Sequence, residues 1–168
     1  IEADKAVEIQ TFETGISLNL PCRAAILIEQ NTGKILYEFN ADEKLPMASV
    51  TKVMTLLLVM EALSNGSITM EDKVTISEYA AGMGGSQVYL EPGENVDMDT
   101  LLKAVFISSA NDGAVALAEH ISGSCDGFVA AMNNKAMQLG MESTIFYNPT
   151  GLDDADTNLS SARDISLM

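Results

Sequence analysis

The apolar and polar positions divide the chain into a short β-rich opening and a longer, mainly helical remainder. Residues 1–20 show no clear period and read as a leading arm, so the chain is divided into an arm over 1–22 and a domain over 23–168. Residues 23–29 and 34–39 are rich in strand-forming side chains, and Gln30-Asn31-Thr32-Gly33 between them forms turns, so the segment predicts a hairpin. A polar connection over 40–46 leads into 49–64, nearly all apolar or small, with Asn65-Gly66 as its stop. An apolar run without a polar face predicts a helix enclosed by protein. Residues 67–97, punctuated by Gly82, Gly84, Gly85, Pro92 and Gly93, predict irregular structure. Asp97 or Asp99 is placed to cap a helix reaching about Ile107, and Asp112 to cap another over 114–121 after a polar break at 108–111. A further helix runs from Asp126 to a terminating Gly140, and Asn148-Pro149-Thr150-Gly151 is a turn. Ser161-Ala162-Arg163-Asp164 has the form of a capping box and announces a helix with barely two turns of sequence left to it. A lone hairpin is marginal in water, so both features predict that further strands follow residue 168.

Composition narrows the class of partner more than the class of fold. A chain of 168 residues that is 47% hydrophobic suits one globular domain with an apolar core. Its formal net charge of −15 argues against sequence-independent binding of nucleic acid and against an anionic membrane surface as direct partner. No charged-then-apolar leader opens the sequence, and the longest strongly apolar stretch, 53–60, is too short to cross a bilayer. Cys22 and Cys125 stand in different contexts; a disulfide and two separate thiols are both open.

Two short elements carry candidate chemistry. In Ser49-Val50-Thr51-Lys52, helical spacing puts Ser49 and Lys52 on one face, one turn apart. Lys52 is the sole cation between Val50 and Met70, and burial without a carboxylate neighbour lowers the pKa of such an amine. A neutral amine beside a hydroxyl is a competent general base for a serine nucleophile. The plainer reading is a helix cap at Ser49 with Lys52 snorkelling from the first turn. The second element, Ser109-Ala110-Asn111, stands at the break between two apolar helices, where a hydroxyl can relay a proton and an amide can orient a lysine or a carbonyl. Taken alone it also reads as an interhelix turn with Asn111 as a cap.

A Ser-x-x-Lys element followed by Ser-x-Asn belongs to a three-part signature completed by Lys-Thr-Gly. Around it lie Pro46-Met47-Ala48, Gly84-Gly85-Ser86-Gln87-Val88, Leu90-Glu91-Pro92-Gly93-Glu94, Ser109-Ala110-Asn111-Asp112, Ala116-Leu117-Ala118-Glu119, Asn148-Pro149-Thr150-Gly151-Leu152 and Ser160-Ser161-Ala162-Arg163-Asp164. In these stretches the chain closely resembles the D-alanyl-D-alanine carboxypeptidase family of low-molecular-mass penicillin-binding proteins, from about residue 23 to the end. The resemblance implies an α/β (α+β) fold, with a helical subdomain packed on an antiparallel sheet of which this chain holds the first hairpin. It implies that Ser49 attacks the carbonyl between the terminal D-alanines of a peptidoglycan stem peptide, with Lys52 as base and Ser109 and Asn111 completing the polar cradle. β-Lactams would acylate the same serine. It implies no cofactor and no metal, an extracytoplasmic location, and membrane contact only through a carboxy-terminal anchor not in this chain.

The sequence contains no Lys-Thr-Gly. The chain alone is therefore expected to be a weak or inactive catalyst unless a second polypeptide supplies the missing strand, since one oxyanion donor is worth roughly 10²–10³ in rate. One rival is a class A-like serine β-lactamase, although neither Glu119 nor Glu142 stands in the setting its deacylating glutamate needs. The other is a non-catalytic module that binds wall peptide. His120 reads as structural, the Gly82–Gly85 segment lacks a phosphate-loop lysine, and the ten methionines read as core filler.

Overall fold

The computed structural model describes residues 18, 20–152 and 156–168, so the expected leading arm falls almost wholly outside the described residues. The hairpin forms as expected from β1 (Ala25–Ile28) and β2 (Ile35–Phe39). They pair antiparallel, with Leu27 opposite Tyr37 and a register shift that sets Ile28 opposite Ile35. The turn is organised by Glu29, whose carboxylate accepts from the backbone N–H groups of Asn31 and Thr32.

The polar connection is not wholly irregular. It contains β3 (Leu45–Pro46), followed by a 3₁₀ turn at Ala48–Val50 and helix α1 (Thr51–Ser64). The expectation of an enclosed α1 holds on one side only. Met54, Leu56, Val59 and Ala62 are buried, while Val53 and Met60 stay exposed on the other.

Residues 67–97 depart furthest from expectation. They hold β4 (Lys73–Thr75), a short helix α2 (Glu78–Ala81) and β5 (Asn95–Asp97). β4 and β5 pair antiparallel, with the Thr75 hydroxyl donating to Asn95 Oδ1 at 2.8 Å and Lys73 pairing with Asp97. Three-residue strands are too short to display a period of two, which is why the ribbon is invisible in the pattern.

Helices α3 (Met98–Ser108), α4 (Asn111–Ser122) and α5 (Cys125–Gln138) follow, each starting up to three residues earlier than its periodicity suggested. α4 is the central element: residues 111–118 are all buried, and it contacts α1, α2, α3 and α5. Small residues permit this approach; a Cβ on Gly113 would already lie 3.2 Å from Val105 Cγ2 of α3. On one side of α4, Val59, Ile76, Met98, Leu101 and Val115 form an apolar core. On the other, Met54, Phe128, Met132, Met141 and Phe146 form a second.

The chain then returns as β6 (Leu159–Ser160) and α6 (Ala162–Ile165). β6 pairs antiparallel with β3. Among the described residues there are thus three separate two-stranded ladders, and the hairpin is not alone. It is tied to the last helix by Arg163, whose guanidinium reaches Glu38 at 2.8 Å and Asp42 at 2.6 Å.

Three caps differ from expectation because donors elsewhere in the fold take the same carboxylates: a lysine side chain for Asp97, loop amides for Asp112, and an amide and a hydroxyl for Asp164. Asp97 occupies the N-cap position of α3 but gives its carboxylate to Lys73. α4 begins at Asn111 with Ala110 as N-cap, so Asp112 lies inside the helix, and its carboxylate leaves to accept from Val88 N at 3.0 Å and Leu90 N at 3.2 Å. Ser161 Oγ does accept from Asp164 N at 3.1 Å, but the Asp164 carboxylate takes Ser143 N and Thr144 Oγ1, both at 2.7 Å, so only half of a capping box forms.

Candidate active site

The site begins where the chain enters α1. Ala48 has φ +44°, a left-handed conformation costly for a residue with a side chain, and it opens the tight 3₁₀ turn that carries Ser49. Ser49 therefore stands just ahead of the α-helical residues, exposed. One turn on, Lys52 points inward and is only 3% exposed. Its Nζ lies 3.3 Å from Ser49 Oγ and donates to the backbone carbonyl of Thr150 at 2.8 Å. Burial lowers its pKa from 10.5 to about 8. About a tenth of the amine is thus neutral at pH 7, placed against a serine hydroxyl.

Ser109 arrives from the opposite wall. It ends α3 in the left-handed conformation, φ 54° and ψ 36°, which turns the chain sharply before α4. Ser49, Lys52 and Ser109 line one cleft of about 440 Å³, whose remaining wall is apolar, with Val53, Met60 and Phe106 among its members. Asn111 does not line this cleft. Its side chain is buried, Nδ2 donating to Gly84 O at 2.7 Å while its backbone N–H donates to Ser86 O at 2.7 Å.

Asn111 and Asp112 together clamp the glycine-rich segment beside the site. Asp112 is fully buried, and its two loop partners flank Tyr89, which is exposed and held at φ +60°. Asp112→Ala is expected to lower stability by about 1–3 kcal/mol, because the hydrogen-bonded loop amides lose a charged acceptor. The urea midpoint measures that loss, and faster amide exchange at Val88 and Leu90 locates it.

Sequence reasoning recognised the 148–151 turn but assigned it no part in the site. Asn148 Oδ1 accepts from Thr150 N at 3.1 Å and Gly151 N at 2.7 Å, which closes the turn and presents the Thr150 carbonyl to Lys52. Thr55 of α1 donates from Oγ1 to Pro149 O at 2.7 Å. The side chain of Asn158, 1% exposed, ties the turn to Thr51. A turn-forming Asn-Pro-Thr-Gly is legible as a turn; that it faces a lysine far back in the chain is not.

Other candidates lie elsewhere. His120 faces Asp72 at 3.4 Å. Glu119 accepts a hydrogen bond from Ser77 Oγ at 2.7 Å, and Glu142 is exposed. Cys22 and Cys125 are both free, and burial pushes the Cys125 thiol up to about 11.

The residues 11–168 match the family model described as D-alanyl-D-alanine carboxypeptidase. The chain is 53% identical over 146 residues to D-alanyl-D-alanine carboxypeptidase DacF of Bacillus subtilis, covering 87% of this chain and 37% of that protein. Its fold is similar to the crystal structure of the D-alanyl-D-alanine carboxypeptidase DacD from Francisella tularensis, with a TM-score of 0.87 at 33% identity, covering 98% of this chain and 39% of that one. It is also similar to penicillin-binding protein D2 from Listeria monocytogenes in its ampicillin-bound form, with a TM-score of 0.80 at 32% identity, over 90% of this chain and 61% of that one. The chain spans well under half the length of curated relatives such as DacF.

Proposed function

The chain belongs to the D-alanyl-D-alanine carboxypeptidase family, which it matches over residues 11–168, and from that premise we propose that it carries the nucleophile and base of a serine carboxypeptidase acting on peptidoglycan stem peptides ending in D-Ala-D-Ala. The observation that carries this reading is the buried, carboxylate-free Lys52 amine 3.3 Å from Ser49 Oγ. Ser49 Oγ attacks the carbonyl between the two terminal D-alanines as Lys52 Nζ takes its proton. The C–N bond breaks, and the proton passes through the Ser109 hydroxyl to the departing D-alanine amine. Water then attacks the ester, the C–Oγ bond breaks, and Ser49 regains its proton. Asn111, two residues beyond Ser109, holds the glycine-rich segment through Gly84 O and Ser86 O. β-Lactams stop the cycle at the acyl-enzyme stage.

The oxyanion and carboxylate contacts of a Lys-Thr-Gly strand have no counterpart in this sequence. We assign them to polypeptide outside these 168 residues, so the 168-residue chain contributes half of a site and the whole protein the activity. Stem peptides of the wall lie outside the cytoplasmic membrane, and the protein would act there. No helix among the described residues is long and apolar enough to cross a bilayer.

Intact-mass spectrometry before and after benzylpenicillin, on the 168-residue chain and on the longer product of its coding region, tests this reading. A stable adduct mapped to the peptide bearing Ser49, and lost in Ser49→Ala, is the expected result in the longer product. Absence of an adduct from both overturns it.

A further inference from the structure

We propose that Asn158 is a positioning residue for the Lys52–Ser49 pair, holding the first turn of α1 against the turn whose Thr150 carbonyl receives the lysine amine; the inference rests on the acylation reading above. The acceptor that fixes Lys52 is a backbone carbonyl. Its position depends on whatever holds the 148–151 turn. Asn148 closes that turn internally but reaches nothing on α1 in doing so. Asn158 supplies the external tie. Its Nδ2 donates to Asn148 O at 2.9 Å and to Thr51 Oγ1 at 3.0 Å, and its Oδ1 accepts from Tyr147 N at 2.7 Å and Asn148 N at 3.2 Å. One amide therefore grips both sides of the site, and its α1 partner is the residue next to Lys52. A second tie, Thr55 to Pro149, lies a turn further along α1, so loss of Asn158 lets the turn pivot rather than detach.

The groups around the amine make its protonation a sensitive report of this geometry. Ser49 in the 3₁₀ turn ahead of α1, Ser109 at the α3–α4 break and Thr150 in the 148–151 turn are uncharged. Glu61, the carboxylate of α1, pairs with Lys135 of α5 at 2.8 Å, and Asp112 of α4 is held by loop amides. Burial is what lowers the Lys52 pKa, so a turn that pivots and admits water raises it.

The test is a ¹³Cε NMR titration of Lys52 in the wild type, Asn158→Ala, Thr51→Val and Asn133→Ala. Thr51→Val removes only the Asn158–α1 link and keeps side-chain volume. Asn133→Ala removes a comparable brace, Nδ2 to Phe146 O at 2.8 Å and Phe146 N to Oδ1 at 2.9 Å, on α5. The wild-type midpoint is expected near 8. Asn158→Ala and Thr51→Val should raise it by about one unit, with about tenfold less neutral amine at pH 7 and a matching fall in benzylpenicillin acylation of the longer product. Asn133→Ala should lower the urea midpoint and leave the Lys52 titration unmoved. A Lys52 midpoint unchanged in both Asn158→Ala and Thr51→Val, or moved equally by Asn133→Ala, overturns the positioning role. A wild type that titrates near 8 yet never acquires an adduct at Ser49 sinks the acylation reading instead, and the midpoints still decide the tie.

Discussion

Lys52→Met is expected to lower the rate of Ser49 acylation by about 10²–10⁴-fold, the range for loss of a general base, while leaving the fold intact. The two consequences separate because Lys52 contributes little net stability at neutral pH. Its folded pKa of about 8 lies below the ordinary 10.5, so the unfolded chain binds more protons between those values. Stability therefore rises as pH climbs from about 8 towards 10.5, and the cost of burying an ammonium is fully present below about 8. Methionine removes that cost, on the order of 2 kcal/mol after allowance for the solvent-open cleft. It also strands the Thr150 carbonyl, which costs about 1–3 kcal/mol in the opposite direction. The expected change in urea stability at pH 7 is therefore within about 1 kcal/mol of zero. In the wild type, benzylpenicillin acylation of the longer product should rise with pH and level off above about 8, as the amine loses its proton. A wild-type rate independent of pH between 6 and 9, or a Lys52→Met rate equal to wild type, would remove Lys52 from the role of base.

Gly151→Ala is expected to cost about 3 kcal/mol or more and to reduce acylation at least about 10²-fold. Gly151 has φ +75°, and a Cβ there would fall 1.7 Å from Ala48 O and 2.7 Å from Thr51 Oγ1. No rotamer relieves a clash between a Cβ and a backbone carbonyl. Either the 148–151 turn retreats and takes the Thr150 acceptor away from Lys52, or the 3₁₀ turn bearing Ser49 shifts. Gly140→Ala is the control. It has the same φ of +75° with nothing within 4 Å of the added carbon, so it isolates the left-handed backbone cost of about 1–2 kcal/mol. Urea midpoints and acylation rates of the two variants side by side check the claim. Equal losses in both would mean that the contact with Ala48 does not matter.

What was legible in the chain was what depends on neighbours in sequence. The hairpin could be read because Gln30-Asn31-Thr32-Gly33 carries its turn chemistry locally. Helices α1, α3, α4 and α5 could be read because apolar side chains repeat along them and glycine or polar breaks end them. The nearness of Ser49 to Lys52 follows from i,i+3 spacing alone, and the lowered lysine pKa from an apolar run without a carboxylate. The short ladders β3–β6 and β4–β5 were not legible, since two or three residues show no alternation and exist only by virtue of a partner strand. Asp97 does stand at the N-cap of α3, but its carboxylate goes to Lys73, and Asp112 lies inside α4 with its carboxylate also on the amides of Val88 and Leu90; those partners come from tertiary packing, which no local pattern shows.

By itself, then, the sequence determined the helical scaffold, the hairpin, and the serine and lysine on one helical turn. Only the tertiary structure decided what completes their surroundings: Ser109 across the cleft, Asn111 turned to the glycine-rich segment, and the Thr150 carbonyl and Asn158 amide brought to α1. The last two contacts join residues 98 and 107 positions apart, and no local pattern encodes a hydrogen bond over such a separation. They form because folding α1, α4 and the returning strand β6 around two apolar cores leaves buried polar groups that must find partners where the packing has put them.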